Sequence, residues 1–115
     1  MNKTILKLIE RASRKGIARV YSYTDYYGNP EHVEKYRVVA TTVDKVDKWF
    51  LYHYDTLTAT VTDGDGEVVY GQSRSDLDSI ETFLTELTGY APEMHYYPSK
   101  DVFTVVNCGM VLKEF

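Results

Sequence analysis

The side chains of this sequence that are best suited to metal binding are three histidines and one cysteine, His32, His53, His95 and Cys108. Zinc sites need three or four such ligands and commonly take them from close pairs along the chain. Here no two of the four lie within ten residues of each other. We therefore predict no metal and no cofactor. A site assembled across strands from His53, His95 and Cys108 stays open as the alternative. The plainer interpretation is that His53 sits among aromatic residues on a strand and that Cys108 is a buried small hydrophobe.

Motifs for nucleophilic catalysis do not emerge either. The segment 70–75, Tyr-Gly-Gln-Ser-Arg-Ser, lacks the second glycine of the G-x-S-x-G elbow. Cys108 lies in an apolar tail with no nearby histidine in sequence to act as its base. Because no nucleophile stands beside a base, we predict that the protein is not an enzyme.

Charge is distributed very unevenly along the 115 residues. The whole chain has a net charge of −4, which argues against a nucleic-acid binder covered in positive charge. Residues 1–19 hold six lysines and arginines and one glutamate, or +5, whereas residues 20–115 hold seven positive and sixteen negative side chains, or −9. The molecule therefore has a basic pole and an acidic body, and asymmetry of this kind is informative about partners.

The basic pole is predicted to be an amphipathic helix, with an apolar stripe at three- and four-residue spacing. Its cations could contact nucleic-acid phosphates, which gives an alternative site at Lys3, Lys7, Arg11, Arg14 and Lys15. The plainer interpretation is that the stripe packs on a sheet while the cations are solvated or pair with acids of the body. The apolar stripe has no Trp or Phe and is narrow, so we predict no membrane contact.

Eleven tyrosines are the compositional excess of the acidic body. Tyrosine combines a large apolar ring with a polar tip, which suits both half-buried sheet faces and contact surfaces. Strand alternation puts Tyr21 and Tyr23 on one face, and acidic residues flank them. We predict a protein-partner surface, which could enter a basic groove, made of Tyr21, Tyr23, Asp25, Tyr26, Tyr27, Glu31 and Glu34. Ordinary sheet packing with the hydroxyls at the rim is the competing interpretation.

The elements that must position these groups form a small α+β domain covering residues 1–115. The hydrophobic pattern predicts the order αβββββαββ, a largely antiparallel sheet and both helices packed on one face. Residues 42–48 are predicted to be a connection, and the tail 108–115 a docked segment without a strand of its own. The predicted elements are helices at 2–15 and 75–87, with Ser75 as the cap of the second, and strands within 17–23, 33–41, 49–54, 57–62, 67–70, 94–97 and 102–107.

A longer pattern runs through the middle of the chain. Residues 49–57, Trp-Phe-Leu-Tyr-His-Tyr-Asp-Thr-Leu, are followed by 70–80, Tyr-Gly-Gln-Ser-Arg-Ser-Asp-Leu-Asp-Ser-Ile, and by Phe83-Leu84. Over residues 47–87 this resembles small uncharacterised proteins of phages, plasmids and other mobile elements of Gram-positive bacteria. Small acidic proteins of such elements are similar to anti-CRISPR proteins in size and charge, although a resemblance of this kind fixes no mechanism.

The resemblance and the acidic, tyrosine-rich surface together lead to our functional expectation. We expect a non-enzymatic inhibitor that binds a host nucleic-acid-processing complex, most concretely an anti-CRISPR protein that blocks nucleic-acid loading by a Cas9-type nuclease. The alternative is a small regulatory nucleic-acid-binding protein that uses the basic helix. The absence of an apolar run of 18 residues and the single cysteine favour a soluble protein in the cytoplasm of the bacterial host. No row of residues requires a particular oligomeric state.

Overall fold

The computed structural model describes residues 1–25 and 27–115, and in that part of the chain it contains two helices and eight strands. The first five strands along the chain form one antiparallel sheet and the last three form another. The α+β class is therefore confirmed. The order αβββββαβββ has one strand more than predicted, for the reason given below. The elements are α1 (Lys3–Lys15), β1 (Ile17–Thr24), β2 (Pro30–Val43), β3 (Val46–His53), β4 (Thr56–Thr62), β5 (Asp65–Val68), α2 (Arg74–Thr88), β6 (Glu93–Tyr97), β7 (Val102–Asn107) and β8 (Met110–Glu114).

The first sheet is a meander in which strands that are neighbours along the chain are also neighbours in space. Three of its connections are the two-residue turns Asp44-Lys45, Tyr54-Asp55 and Asp63-Gly64, and all six residues have positive φ. Such turns match the right-handed twist of the flanking strands. The prediction that residues 42–48 form a connection is therefore wrong, because the chain reverses within two residues and β2 and β3 extend up to that turn.

Alternation along the strands separates a covered face of this sheet from an open one. Val38 pairs with Leu51 and Leu51 with Ala59, and these three side chains are fully buried. Both helices contact this side, α1 over β1 and β2 and α2 over β3, β4 and β5. Phe50 and Tyr52 have the opposite parity on β3 and are half-buried on the face that neither helix covers. The predicted packing of both helices on one face is confirmed.

Helix α1 is amphipathic, as its sequence predicts. The Asn2 side chain caps its first turn, and Gly16 ends it with φ of 83°, a left-handed conformation that glycine adopts at little cost. The apolar stripe is buried and consists of Ile5, Leu8, Ile9 and Ala12.

The cap of helix α2 lies two residues before the predicted one. The Ser73 hydroxyl accepts a hydrogen bond from the Asp76 N–H at 3.1 Å, and Gly89 ends the helix in the left-handed conformation. The prediction that Ser75 is the cap is wrong, because Ser75 already lies in the first helical turn. A cap must bond to an amide two or three residues ahead of it, and Ser73 has that relationship to Asp76.

The C-terminal residues form a second sheet, which corrects the prediction of a docked tail. A two-residue turn at Cys108-Gly109, again with positive φ at both positions, leads into β8, which pairs with β7. The backbones of Phe103 and Phe115 also exchange two hydrogen bonds, of 3.1 and 2.8 Å. Cys108 was expected to be a buried small hydrophobe, but its place in the turn leaves it exposed.

Neither helix of the described residues has the length and apolar character that crossing a membrane requires.

Candidate functional site

The predicted tyrosine surface lies at the end of the open sheet face, on β1 and the start of β2. Tyr21 and Tyr23 share this face, as alternation predicts, and are 51% and 84% exposed. The His32 ring from β2 lies between them, with its centroid 4.9 Å from that of Tyr21 and 5.6 Å from that of Tyr23. The Tyr23 and His32 rings are stacked, and the Tyr21 ring is tilted by 31° relative to His32. Three exposed rings in contact are a pre-ordered aromatic platform, and tyrosine is enriched where proteins meet partners.

The carboxylate of Glu34, which was predicted to face a partner, is held by two arginines of the same sheet. Its oxygens lie 3.0 Å from Arg19 Nε and 2.8 Å from Arg37 Nη1. The other side of the Arg37 guanidinium is 3.2 Å from Asp55 Oδ1. The four side chains form a network with two charges of each sign, so Glu34 does not present an unbalanced charge.

Asp25 is occupied by the turn that follows β1. Its carboxylate accepts hydrogen bonds from the Tyr27 N–H at 2.9 Å and from the Asn29 N–H at 2.8 Å. These bonds, led by the one from the Asn29 backbone, hold the pKa of Asp25 below its usual value, because hydrogen bonds to the charged form favour ionisation. Asp25 therefore keeps its negative charge at neutral pH while it organises the loop.

Of the other predicted surface residues, Tyr27 and Glu31 are exposed. Tyr26 lies outside the residues that the structure describes.

A cleft of about 440 Å³ joins part of this surface to the β3–β4 turn. The structure brings Asp25, Tyr27 and Glu34 to its walls and adds residues that the sequence did not single out. Its charged and aromatic lining consists of Asp25, Tyr27, Glu34, Arg37, Tyr54 and Asp55. The lining holds three carboxylates and one guanidinium, and Arg19 also pairs with Glu34, so this group of side chains has a formal charge of −1. The cleft therefore suits a cationic side chain with aromatic contacts.

The open face continues beyond the cleft as an aromatic and cationic strip. The Arg37 guanidinium carbon lies 4.1 Å from the centroid of the Tyr52 ring, which is close enough for a cation–π contact. Tyr52 was not predicted as a surface residue. The β-register places it opposite Arg37, and only that register could have identified the pair.

The basic face of α1 is fully available to solvent. All five predicted cations are exposed, and Arg14 lies 3.7 Å from Glu10 of the same helix. Across residues 1–25 and 27–115, no carboxylate lies within ion-pair distance of the other four cations. The cations are therefore solvated rather than paired with the acidic body. The five residues are Lys3, Lys7, Arg11, Arg14 and Lys15.

The residues of the alternative metal site do not come together. His53 belongs to β3 of the first sheet, His95 to β6 of the second, and Cys108 to the exposed β7–β8 turn. His95 instead lies 3.5 Å from Glu93. In the part of the chain that the structure describes, no three histidine, cysteine, aspartate or glutamate side chains are grouped as metal ligands would be.

Sequence reasoning missed a buried histidine–aspartate pair. His53 Nδ1 lies 2.6 Å from Asp76 Oδ1, and the histidine is only 5% exposed. The second carboxylate oxygen accepts the Gln72 N–H at 2.9 Å. The Tyr36 and Tyr54 rings pack against the imidazole at centroid distances of 4.4 and 4.8 Å. The expectation that His53 sits among aromatic residues is confirmed.

This pair adjoins a cavity of about 230 Å³. The Nε2 atom of His53 is buried, and within residues 1–25 and 27–115 it has no hydrogen-bond partner. A general base needs contact with the proton that it removes. The geometry therefore supports a structural role in which the pair ties the start of α2 to the end of β3. The only sequence signal for this pair was a single histidine, His53, at an inward-facing position of an otherwise apolar strand.

Burial around this pair also affects Tyr36. Removal from solvent is the largest cause that raises the pKa of Tyr36 to about 12, with the nearby Asp76 charge acting in the same direction and a hydrogen bond with Ser79 opposing it. Tyr36 is therefore a neutral core residue at physiological pH, in contrast to the exposed tyrosines of the open face.

In comparisons with known proteins, the chain matches no protein-family model, no curated protein and no solved structure.

Proposed function

We propose that this chain is a non-enzymatic binding protein that docks onto a basic surface of a protein partner. The contact surface consists of the aromatic platform, formed by Tyr21, Tyr23 and His32, and the adjoining acidic cleft. The observation that carries the proposal is the platform itself, since three aromatic rings contact one another and yet remain exposed on a sheet face. Rigid aromatic side chains lose little conformational freedom on binding and are frequent hot spots of interfaces.

The cleft supplies the specificity of this surface. Its lining has three carboxylates and one guanidinium, with two tyrosine rings among them. A lysine or arginine of the partner gains charge complementarity and a cation–π contact there. Because Glu34 is already paired with Arg19 and Arg37, a row of free carboxylates that mimics a nucleic-acid backbone has weaker support than recognition of a few basic side chains in this cleft.

The narrower form of the proposal is an inhibitor from a mobile element. The partner is then a host nucleic-acid-processing complex, most concretely a Cas9-type nuclease, whose nucleic-acid channel is lined with basic side chains. A protein docked on such residues keeps nucleic acid from loading. The resemblance of residues 47–87 to mobile-element proteins is what supports this identification of the partner.

The experiment mixes the purified chain with a Cas9-type nuclease and its guide RNA, and then measures DNA cleavage and co-elution. We expect inhibition and a complex with the wild type, and loss of both with Tyr23→Ala and with Asp55→Lys. Tyr97→Ala is the matched control, because Tyr97 is a 45% exposed tyrosine that belongs to the second sheet.

If cleavage is unchanged at large excess and no complex elutes, the inhibitor proposal is wrong. If Tyr97→Ala weakens the complex as much as Tyr23→Ala does, the assigned surface is wrong.

The exposed cations of α1 favour a second candidate, a regulatory nucleic-acid-binding protein. Within the described residues, four of the five have no carboxylate at ion-pair distance, and Arg14 pairs with Glu10 of the same helix. Five cations on one short helix are sufficient for a phosphate footprint, with a steep fall in affinity as salt rises. The test is a gel shift with double- and single-stranded DNA and with RNA over a salt series. Lys3→Glu, Lys7→Glu and Arg11→Glu combined should abolish binding. Absence of any shift at low salt overturns this candidate.

A further inference from the structure

A groove lies between β5 and the second sheet. It encloses about 520 Å³ and adjoins the C-terminal half of α2. Apolar side chains from three elements line it, including Leu84 of α2, Val105 of β7 and Leu112 of β8. β5 and β1 are the opposite edges of the first sheet, so the groove is separate from the tyrosine surface on β1.

One wall of the groove is a free sheet edge. Val69 N–H bonds to Thr58 C=O across the β4–β5 ladder, and bonded pairs alternate with non-bonded pairs along an antiparallel ladder. This alternation turns the N–H and C=O groups of Gly66 and Val68 away from β4 and toward the groove. The groove therefore offers backbone donors and acceptors beside an apolar lining.

A lysine side chain already donates a hydrogen bond to one of these outward-facing backbone groups. Lys113 Nζ lies 2.7 Å from the Val68 carbonyl oxygen and 2.9 Å from Glu67 Oε1. Within the described residues, the structure records no other hydrogen bond to the outward-facing backbone groups of Gly66 and Val68. A charged side chain at an edge limits uncontrolled pairing. Lys113 is half-buried, and its long side chain can move aside when a strand arrives.

Gly66 shows how closely this strand sits on α2. A Cβ atom at this position would lie 2.8 Å from Leu84 Cδ2 and 3.4 Å from Thr88 Cγ2. The absence of a side chain lets the helix approach the strand, so that the apolar lining begins directly at the backbone edge. An added strand can therefore bury side chains on this lining while its backbone pairs with β5.

Charge decides which strand fits. Asp63, Asp65 and Glu67 are exposed along the edge and its turn, against the single cation Lys113. A second copy of β5 would bring like charges opposite one another, which is unfavourable.

We propose that this groove binds an extended peptide segment of a partner, with apolar residues alternating with lysine or arginine, as an additional strand at the β5 edge. The apolar residues face the groove and the cations face the carboxylates.

The test uses ¹⁵N-labelled protein and an acetylated hexapeptide in which valine alternates with lysine. The backbone amide signals of Gly66 and Val68 are the reporters. We expect saturable shifts at both amides, with a Kd of about 1 mM or tighter, and no such shifts with a peptide in which glutamate replaces lysine. Two further peptides of the same sequence are methylated at every second backbone nitrogen, one at the odd positions and the other at the even positions. One of the two should bind about tenfold more weakly, because its methyl groups remove the hydrogen bonds to the β5 edge.

Two variants of β8 form a matched pair. Leu112 lines the groove and is 58% exposed, while Met110 is 70% exposed and is not part of the lining. Both positions tolerate a polar residue without loss of core. Leu112→Asp should therefore weaken peptide binding by about fivefold or more, and Met110→Asp should leave it unchanged.

The inference is overturned if Gly66 and Val68 show no saturable shift, if both methylated peptides bind like the parent, or if the two β8 variants behave alike. Shifts confined to Tyr21, Tyr23 and the cleft also overturn it. That last result would leave the proposed function standing, since the peptide would then act as a basic ligand of the tyrosine surface.

Discussion

His53 and Asp76 are 23 positions apart in sequence, yet their side chains form a 2.6 Å hydrogen bond in the interior. The bond joins the last residue of β3 to the first turn of α2, and the aspartate also accepts the Gln72 amide that precedes the helix. A buried carboxylate is tolerated only when its oxygens are satisfied. Both oxygens of Asp76 are satisfied here, and this arrangement fixes where α2 starts on the sheet.

Removal of the Asp76 carboxylate should destabilise the fold strongly. Asp76→Ala leaves the buried imidazole and the Gln72 N–H without this partner, so we expect a loss of about 2–4 kcal/mol in the free energy of unfolding. Urea titration followed by circular dichroism measures it. Glu81→Ala is the control, because Glu81 is exposed on the same helix and should change stability by less than about 0.5 kcal/mol. Equal losses for the two variants would mean that the pair does not anchor the helix.

The two serines at the start of α2 should differ in their effect on stability. Ser73→Ala removes the side-chain bond to the Asp76 amide and should cost about 1 kcal/mol. Ser75→Ala changes an exposed position inside the first turn and should be close to neutral. Thermal unfolding of both variants measures the difference. A larger loss for Ser75→Ala would contradict Ser73 as the cap.

Stability should fall at alkaline pH because of Tyr36. Its pKa is raised to about 12 in the folded chain, from the usual value of 10.0. Between these values the unfolded chain loses the Tyr36 proton and the folded chain keeps it, so the stabilising contribution is complete below about pH 10 and is lost as pH rises toward 12. The expected slope is about 1 kcal/mol of unfolding free energy for each pH unit.

Urea midpoints at a series of pH values from 9 to about 11.5 test this dependence. Tyr36→Phe has no group to ionise, so the part of the slope due to Tyr36 should disappear. Tyr23→Phe is the control, because Tyr23 is exposed on the open face. An unchanged slope in Tyr36→Phe would contradict the assignment.

Gly71 is required by the ring of Phe103. A Cβ atom at Gly71 would lie 2.7–2.8 Å from three ring atoms of Phe103, and that ring is fully buried and cannot retreat into solvent. Gly71→Ala should therefore cost about 1–3 kcal/mol through overpacking. Combination with Phe103→Leu should recover part of the loss, because the smaller side chain makes room. Strict additivity of the two changes in urea unfolding would show that the clash is not the cause.

Much of the fold follows from patterns that are local in the chain. The three- and four-residue spacing of Ile5, Leu8 and Ile9 determines α1, and strand alternation alone puts Tyr21 and Tyr23 on one face. Local spacing is sufficient here because periods of 3.6 and 2 residues fix which side chains share a face. The ends of the elements were less well predicted. In the Asp44-Lys45 and Cys108-Gly109 turns, three non-glycine residues adopt positive φ. Neither pair of residues is a strong turn signal in the sequence.

Only the tertiary structure decided which charges are available and where the second sheet lies. The sequence analysis assigned Glu34 to a partner surface, whereas the antiparallel register sets it against Arg19 and Arg37. It gives His53 and Asp76 as distant residues, and the packing of α2 on β3 and β4 makes them neighbours. Pairing of this kind depends on long-range register and packing, which are cooperative properties of the whole chain. The sequence by itself therefore determined the faces of the elements, and the tertiary structure determined which groups on those faces meet one another and which remain free to meet a partner.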